Sequence, residues 1–209
     1  MPLTLLTARE ALFERLGYAR PGAGGTQPGR LLIINGAGGV GSVALQLARL
    51  AGIAATATAS RPDSADWCLR MGAAEVVAHG DLAGLPDASF DRIFCCDDTD
   101  ACFDTMARLI APQGMICSIV GVRQNRDLRP LFQKSAGFVW EYMFTRPTFG
   151  TADIARQGAI LAEAARLVDA GRLATTLTAA DRGLTPGTLA AAHAAVAAGR
   201  QIGKRAILY

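Results

Sequence analysis

At 209 residues, with 51% hydrophobic and 19% charged residues, the chain can bury one substantial core and does not have the composition of a disordered polymer. A formal net charge of +3 is too slight to mark a nucleic-acid binder, and no basic run is interleaved with aromatics. Arg9 and Glu10 interrupt any signal-like apolar stretch at the N-terminus, and no segment reaches the ~20 apolar residues of a membrane span. The expectation is a cytoplasmic protein without nucleic-acid or membrane partners.

Met1 to Gly17 reads as one helix. Thr7 and Glu10 match a capping box, and Ala8, Ala11, Leu12 and Leu16 form an apolar stripe. Pro21–Gly29 is a loop by composition. Arg30–Asn35 is an apolar strand that ends in Gly36-Ala37-Gly38-Gly39-Val40-Gly41, and an amphipathic helix follows at once, stopped by Gly52. Ile53–Ala59 is a near-continuous run of small apolar residues, as suits a parallel strand covered on both faces. Pro62 opens a helix to about Met71, and Glu75–Ala78 is a short third strand.

Phe90–Cys96 is the fourth strand, and Phe103, Met106, Ala107 and Ile110 stripe the helix after it. Pro112 and Gly114 turn the chain into a fifth strand, Met115–Val120, and a sixth is expected near Gly137–Tyr142. Ile154–Ala170 is a long amphipathic helix closed by Gly171. The tail offers a strand (Leu173–Leu177), a helix (Leu189–Ala198) with His193 as a packed residue, and a terminal strand (Arg205–Leu208). Strand–helix alternation with short loops implies right-handed crossovers. The expected fold is α/β, a doubly wound Rossmann sheet of six parallel strands in the order 3-2-1-4-5-6, with an N-terminal helix and a C-terminal return segment.

Five cysteines (Cys68, Cys95, Cys96, Cys102, Cys117) contain no C-x-x-C pair, and with only His79 and His193 to add, no zinc-ligand spacing appears. The expectation is five buried free thiols and no bound metal. Cys95 and Cys96, adjacent in a strand, should face opposite sides of the sheet.

Gly36, Gly38 and Gly41 stand in the G-x-G-x-x-G spacing of a dinucleotide-binding turn. The first allows a tight turn, the second a close approach of backbone amides to a diphosphate, and the third close packing of helix on strand. The helix N-terminus then faces the phosphate charge. A Rossmann site for NAD(H) places an acid at the end of strand two to hold the adenine ribose. Here that position reads Ala59-Ser60-Arg61-Pro62, with no carboxylate. Ser60 and the forked guanidinium of Arg61 suit a phosphate oxygen instead, which favours NADP(H). Two alternatives stand beside this: Arg61 as a solvated loop charge, and Asp63 as the ribose acid if the strand runs longer. The missing acid also argues against a methyltransferase. No Tyr-x-x-x-Lys pair supports a short-chain reductase, since Tyr142 is followed by Arg146.

The run Pro2-Leu3-Thr4-Leu5-Leu6-Thr7-Ala8-Arg9-Glu10-Ala11-Leu12 resembles the L-T-A-x-E-A-L segment of medium-chain dehydrogenase/reductases, and Gly36–Ser42 resembles their G-A-G-G-V-G-S turn. Met71-Gly72-Ala73-Ala74-Glu75-Val76-Val77 is similar to the L-G-A-x-x-V-I of the same superfamily, and Gly199–Leu208 to its closing G-x-x-x-G-K-x-V-L. Trp140–Arg146 resembles the zinc-type alcohol dehydrogenase-like branch near the quinone oxidoreductases. The resemblance implies the NADPH-binding part of an oxidoreductase that passes hydride to a quinone, an enone or a carbonyl. By position, Thr7 would lie near the nicotinamide, Gly38, Gly39 and Val40 on the diphosphate, and Ser60 and Arg61 on the adenosine phosphate. Asp97 and Thr99, then Val120 and Gly121, would line the groove. Phe144 and Arg146 would face substrate or an interface.

The family places a GroES-like catalytic domain ahead of its connecting helix, and this chain opens where that helix begins. Residues 1–25 are thus expected to be a connecting helix and loop, 26–171 the NADP(H)-binding domain, and 172–209 a segment that in the family pairs with the catalytic domain. Three readings follow: the cofactor-binding part of an NADPH-dependent oxidoreductase, an NADP(H)-binding or homodimerising module without turnover, and a pure interaction protein. The intact glycine turn speaks against the third.

Overall fold

The computed structural model describes residues 1–22 and 27–209, so residues 23–26 of the expected Gly/Pro loop, with the boundary at residues 25 and 26, lie outside the described residues. The chain opens with α1 (Pro2–Glu10), widened at Ala11–Arg15 into a π turn in which Leu16 N–H donates to Ala11 O at 2.9 Å. Then follow β1 (Leu31–Ile34), α2 (Gly39–Leu50), β2 (Ala55–Ala59), α3 (Pro62–Met71) and β3 (Glu75–Ala78). A 3₁₀ turn over His79–Gly84 leads to β4 (Phe90–Cys95), α4 (Thr99–Leu109), β5 (Ile110–Ser118), α5 (Arg129–Gln133) and β6 (Gly137–Trp140). The remainder is α6 (Thr145–Phe149), α7 (Arg156–Asp169), β7 (Leu177–Arg182), α8 (Pro186–Ala197) and β8 (Lys204–Leu208).

Six strands pair in parallel in the order β3-β2-β1-β4-β5-β6, as the alternation implies. Side chains of β1 divide between the faces: Leu31 and Ile33 join a core with α1, α2 and α7, while Leu32 and Ile34 join a second core with α4. Both faces of the central strand are therefore dry, which is why it carries no polar residue. Cys95 and Cys96 follow the same alternation, one against each core. All five thiols are free. Cys68, Cys95 and Cys117 are buried, whereas Cys96 and Cys102 are only half-buried.

Several local expectations give way to longer-range forces. Helix α1 starts at Pro2, so Thr7 lies in its interior and is not an N-cap; its hydroxyl donates back to Leu3 O at 3.0 Å. Glu10 does not close a capping box either. It is buried, and its Oε1 lies 2.6 Å from Arg146 Nη1. Ile110 belongs to β5, not to α4, and pairs with Phe90 before an irregularity restarts the ladder at Arg92 and Met115. In the tail the strand is displaced to Leu177–Arg182, where it pairs in parallel with β8. Helix α8 buries Ala192 and leaves His193 exposed, so His193 is not packed.

The tail is fastened to the main sheet through α2. The buried side chain of Gln46 uses both ends of its amide on one residue, donating to Ala174 O at 3.2 Å and accepting from Ala174 N at 2.8 Å. Gly203 N–H donates to Ala37 O at 2.8 Å, and Trp67 Nε1 donates to Ser42 Oγ at 2.8 Å beside it.

A buried ionic cluster fastens α1 to the segment after β6. Arg146 bridges Glu10, Glu14 and Asp153, and Arg15 Nε donates to Glu141 Oε2 at 2.9 Å. Glu141 is buried, and its Oε1 has no hydrogen-bond partner among the described residues. Burial, reinforced by neighbouring Glu10, pushes its carboxyl up to about 8 from the ordinary 4.5. The folded protein thus keeps a proton that the unfolded chain releases, so this group lowers stability as pH rises from about 4.5 to about 8. Glu141→Gln should remove that dependence. Thermal melts across this range should show the variant gaining on the wild type with rising pH, and a difference flat with pH would mean that Glu141 is ionised in the fold.

Candidate functional site

The glycine-rich turn at the carboxyl end of β1 stands between β2 and β4, where the sheet order reverses. Such a switch point is where ligands bind in open α/β sheets. The left-handed residue of the turn is Asn35 (φ 62°), a type that tolerates this conformation, and none of the four glycines after it has positive φ. Asn35 N–H donates to Thr58 Oγ1 at 2.9 Å and Gly36 N–H to Thr58 O at 3.0 Å, which ties the turn to β2.

The glycines are required by proximity. A Cβ on Gly36 would sit 2.7 Å from Ala57 Cβ and 3.1 Å from Cys68 Sγ. One on Gly41 would collide with Asn35 O and lie 2.7 Å from Gly36 Cα, backbone that cannot move aside. Gly38 is looser, since its Cβ would meet only Asn35, with Nδ2 at 3.3 Å. At Gly39 the obstruction is the Lys204 side chain, with Cδ and Nζ each 3.0 Å from the Cβ position. Among the described residues, the amides of Gly39 and Val40, at the first turn of α2, have no backbone acceptor. They and the dipole of α2 make this end of the helix receptive to an anion.

Strand β2 ends at Ala59, so Ser60 and Arg61 are the residues at its carboxyl end. Arg61 is the N-cap of α3, and its N–H donates to Ser64 Oγ at 3.0 Å. Its guanidinium reaches the tail, donating to Arg200 O at 2.9 Å. A cleft of about 320 Å³ opens here, bordered by Asn35, Ala37, Ser60, Arg61 and Asp97. Asp63 is not among its walls. It lies in the first turn of α3 and faces a separate hollow beside Trp67 and Thr178.

Of the remaining sequence candidates, Asp97 is exposed at the cleft beyond β4. Thr99 is buried, its hydroxyl within 2.6 Å of Ser118 Oγ and bonded to Val120 O, so it braces the end of β5 and has no exposed face. Gly121 is exposed, with nothing within 4 Å of a Cβ, so no close approach requires a glycine there. Thr7 is buried in α1 and does not border the cleft. Sequence reasoning did not assign seven of the wall residues to the site: Asn35, Ala37, Ala59, Ser64, His79, Gly199 and Gln201. Burial pulls His79 below the ordinary imidazole value against the opposing pull of Asp97. Gly199 and Gln201 stand in the closing motif, whose position over the cleft depends on contacts remote in sequence.

A doubly wound sheet with a glycine turn at its switch point defines a dinucleotide-binding fold. The chain belongs to the zinc-binding dehydrogenase family, whose model matches residues 71–207. A zinc-type alcohol dehydrogenase-like protein of Staphylococcus aureus strain COL is 37% identical over 212 residues, covering 99% of this chain and 63% of that protein. A structure from Rhizobium etli CFN 42 described as a zinc-dependent alcohol dehydrogenase is 40% identical with a TM-score of 0.88, covering 100% of this chain and 62% of the other. A mycobacterial protein solved in complex with NADPH, 20% identical with a TM-score of 0.78, covers 99% of this chain and 62% of its own, and shows the fold alone. The chain thus spans less than two thirds of the length of these relatives. Among the described residues no three of His, Cys, Asp or Glu are grouped to hold a metal ion, and no helix is long and apolar enough to cross a membrane.

The contact at Gly41 yields a direct test. Gly41→Ala forces α2 away from the turn and should cost about 1–3 kcal/mol, the usual range for overpacking. Urea unfolding measures it, and an unchanged midpoint would mean that the helix can shift without loss.

Proposed function

We propose that this chain holds NADPH for an oxidoreductase that reduces a quinone, an enone or another activated carbonyl. The observation that carries the reading is Arg61 where an NAD(H) site keeps an acid, bordering the same cleft as the glycine turn. Asp63, the one acid able to restore an NAD(H) reading, faces elsewhere. The NADPH complex of the mycobacterial neighbour lends the reading a precedent within the fold.

In this proposal the amides of Gly39 and Val40 bind the diphosphate, with Gly38 keeping the approach open and Gly36 and Gly41 seating the turn against β2 and α2. Ser60 and Arg61 hold the phosphate on the adenosine ribose. The groove then passes Asp97 and the end of β5, at Val120 and Gly121, toward the nicotinamide; Thr99 contributes only by bracing Val120 from within, and Thr7, buried in α1, is not part of the wall. NADPH supplies a hydride when bound. Residues 26–171 form the cofactor domain, and the additional length of the relatives provides the model for the substrate walls.

A second reading is a cofactor-binding or homodimerising module without turnover. It is favoured by the edge strand β6, beside which Trp140, Tyr142 and Phe144 are exposed. NADPH oxidation by the purified chain against a quinone and enone panel separates the two. A measurable rate supports the first, and clear binding with zero rate and a dimeric mass by light scattering supports the second.

Calorimetric titration tests the cofactor. NADPH should bind more tightly than NADH, and Arg61→Ala should weaken NADPH roughly tenfold, the scale of one charged hydrogen bond, with little change for NADH. Equal affinities in the wild type would sink the Arg61 assignment.

A further inference from the structure

Two of the five thiols meet where β4 hands over to α4. Cys95 is the last residue of β4 and is buried, and Cys102, near the start of α4, is half-buried. Between them the chain turns at Cys96-Asp97-Asp98, and the Asp98 carboxylate caps α4 by accepting from Asp100 N–H at 2.9 Å. Cys102 N–H donates to Asp98 O at 3.2 Å, which closes the first turn. Helical side chains lean toward the N-terminus, so Cys102 leans back over the end of β4. Both sulfurs join the core shared with Ile93 and Phe103, whereas Cys68, Cys96 and Cys117 belong to the opposite core. The Cys95 S–H has two acceptors in reach, Asp97 O at 3.6 Å and the sulfur of Cys102.

The pair is asymmetric. The hydrogen bond from Cys95 holds the Cys102 thiol below its ordinary value, against burial and the charges of Asp97 and Asp98. The same bond, together with burial, raises Cys95. Cys102 is therefore the thiol that ionises first, and it is also the one that solvent reaches. The short connection between the two carries more than a turn. Asp97, whose carbonyl Cys95 holds, borders the cleft, and Thr99 is bonded to Val120 O.

We propose that Cys95 and Cys102 form an oxidation site for hydrogen peroxide, closing to a reversible disulfide that weakens dinucleotide binding in the adjoining cleft. The Cys102 thiolate attacks one peroxide oxygen: an S–O bond forms, the O–O bond breaks, and the departing hydroxide takes up a proton and leaves as water. The Cys95 sulfur then attacks the Cys102 sulfenic acid: the S–S bond forms, the S–O bond breaks, and the hydroxide leaves as water with the Cys95 proton. In sum the two thiols give up two electrons and two protons, and one peroxide becomes two waters. The disulfide has no S–H, so Asp97 O loses its donor. The sulfurs must also pass from hydrogen-bond contact to bonding distance, which draws the start of α4 toward β4. Both changes fall on the segment that carries Asp97. The effect on binding rests on the reading of the cleft as a dinucleotide site; the thiol chemistry does not.

The test treats the full chain with hydrogen peroxide, removes the excess, and reads both the peptide map and the affinity for NADPH. Cleavage at Asp97, Asp98 and Asp100 should leave the wild-type fragments holding Cys95 and Cys102 joined until dithiothreitol parts them. Cys96→Ser should behave in the same way. Cys102→Ser should form no such link, and Cys95→Ala should stop at a sulfenic acid on Cys102 that dimedone traps. Calorimetric titration of the oxidised wild type should show NADPH weakened roughly fivefold, the scale of one lost hydrogen bond. Dithiothreitol should restore it, and peroxide should leave Cys102→Ser unaffected. A peroxide-treated wild type without the Cys95–Cys102 link would overturn the proposal, as would a link that leaves NADPH affinity unchanged. A reduced wild type that binds neither NADPH nor NADH overturns the reading of the cleft and with it the effect on binding, while the mapped link alone decides the oxidation site.

Discussion

The structure depends on one backbone-to-backbone approach, that of Gly41 against Asn35 and Gly36. No side chain can intervene, so the first turn of α2 is seated directly on the end of β1. That seating aims the amides of Gly39 and Val40 at the switch point between β2 and β4. It also fixes Gln46, further along α2, whose amide grips Ala174 and sets where the tail begins. The position of β7, β8 and Lys204 is thus inherited from a contact between two glycines in the first strand–helix unit. Residues far apart in sequence share one geometric origin.

What was legible in the sequence is what local physics decides. Strand β3 and helix α3 fall where the pattern puts them, because Pro62 favours a helix start and Gly72, left-handed at φ 113°, ends it. The strand order followed from alternation and short loops. The Thr7–Glu10 pair misled because its spacing is that of a capping box. The same two residues can equally sit inside a helix when a remote Arg146 takes the carboxylate and Pro2 starts the helix earlier. Spacing cannot distinguish these outcomes; a partner more than one hundred residues away decides.

The site divides in the same way. The glycine turn and Arg61 are adjacent to the strand ends that present them, so chain order alone locates them. Gly199 and Gln201 reach the cleft through tertiary bonds, Gln46–Ala174, Gly203–Ala37 and Arg61–Arg200, which no local pattern announces. The tail resisted a sequence reading for a related reason. Helix α8 is largely alanine and has no marked polar face, and β7 mixes apolar and charged residues without a buried side. Their placement comes from pairing with each other and from attachment to α2.

Trp67 has an optical consequence. It stands where α2, α3 and the tail converge, bonded to Ser42 and packed near Gly203, while the chain's other tryptophan, Trp140, lies on the far edge of the sheet and is 41% exposed. The two indoles therefore occupy different solvent environments, and their emission should differ in colour and in access to quenchers. A reduced nicotinamide ring absorbs in the region where tryptophan emits, so energy transfer from each indole would depend on its distance from that ring. The protein thus carries an internal ruler, with one chromophore fixed where α2, α3 and the tail meet and the other reporting from the opposite edge.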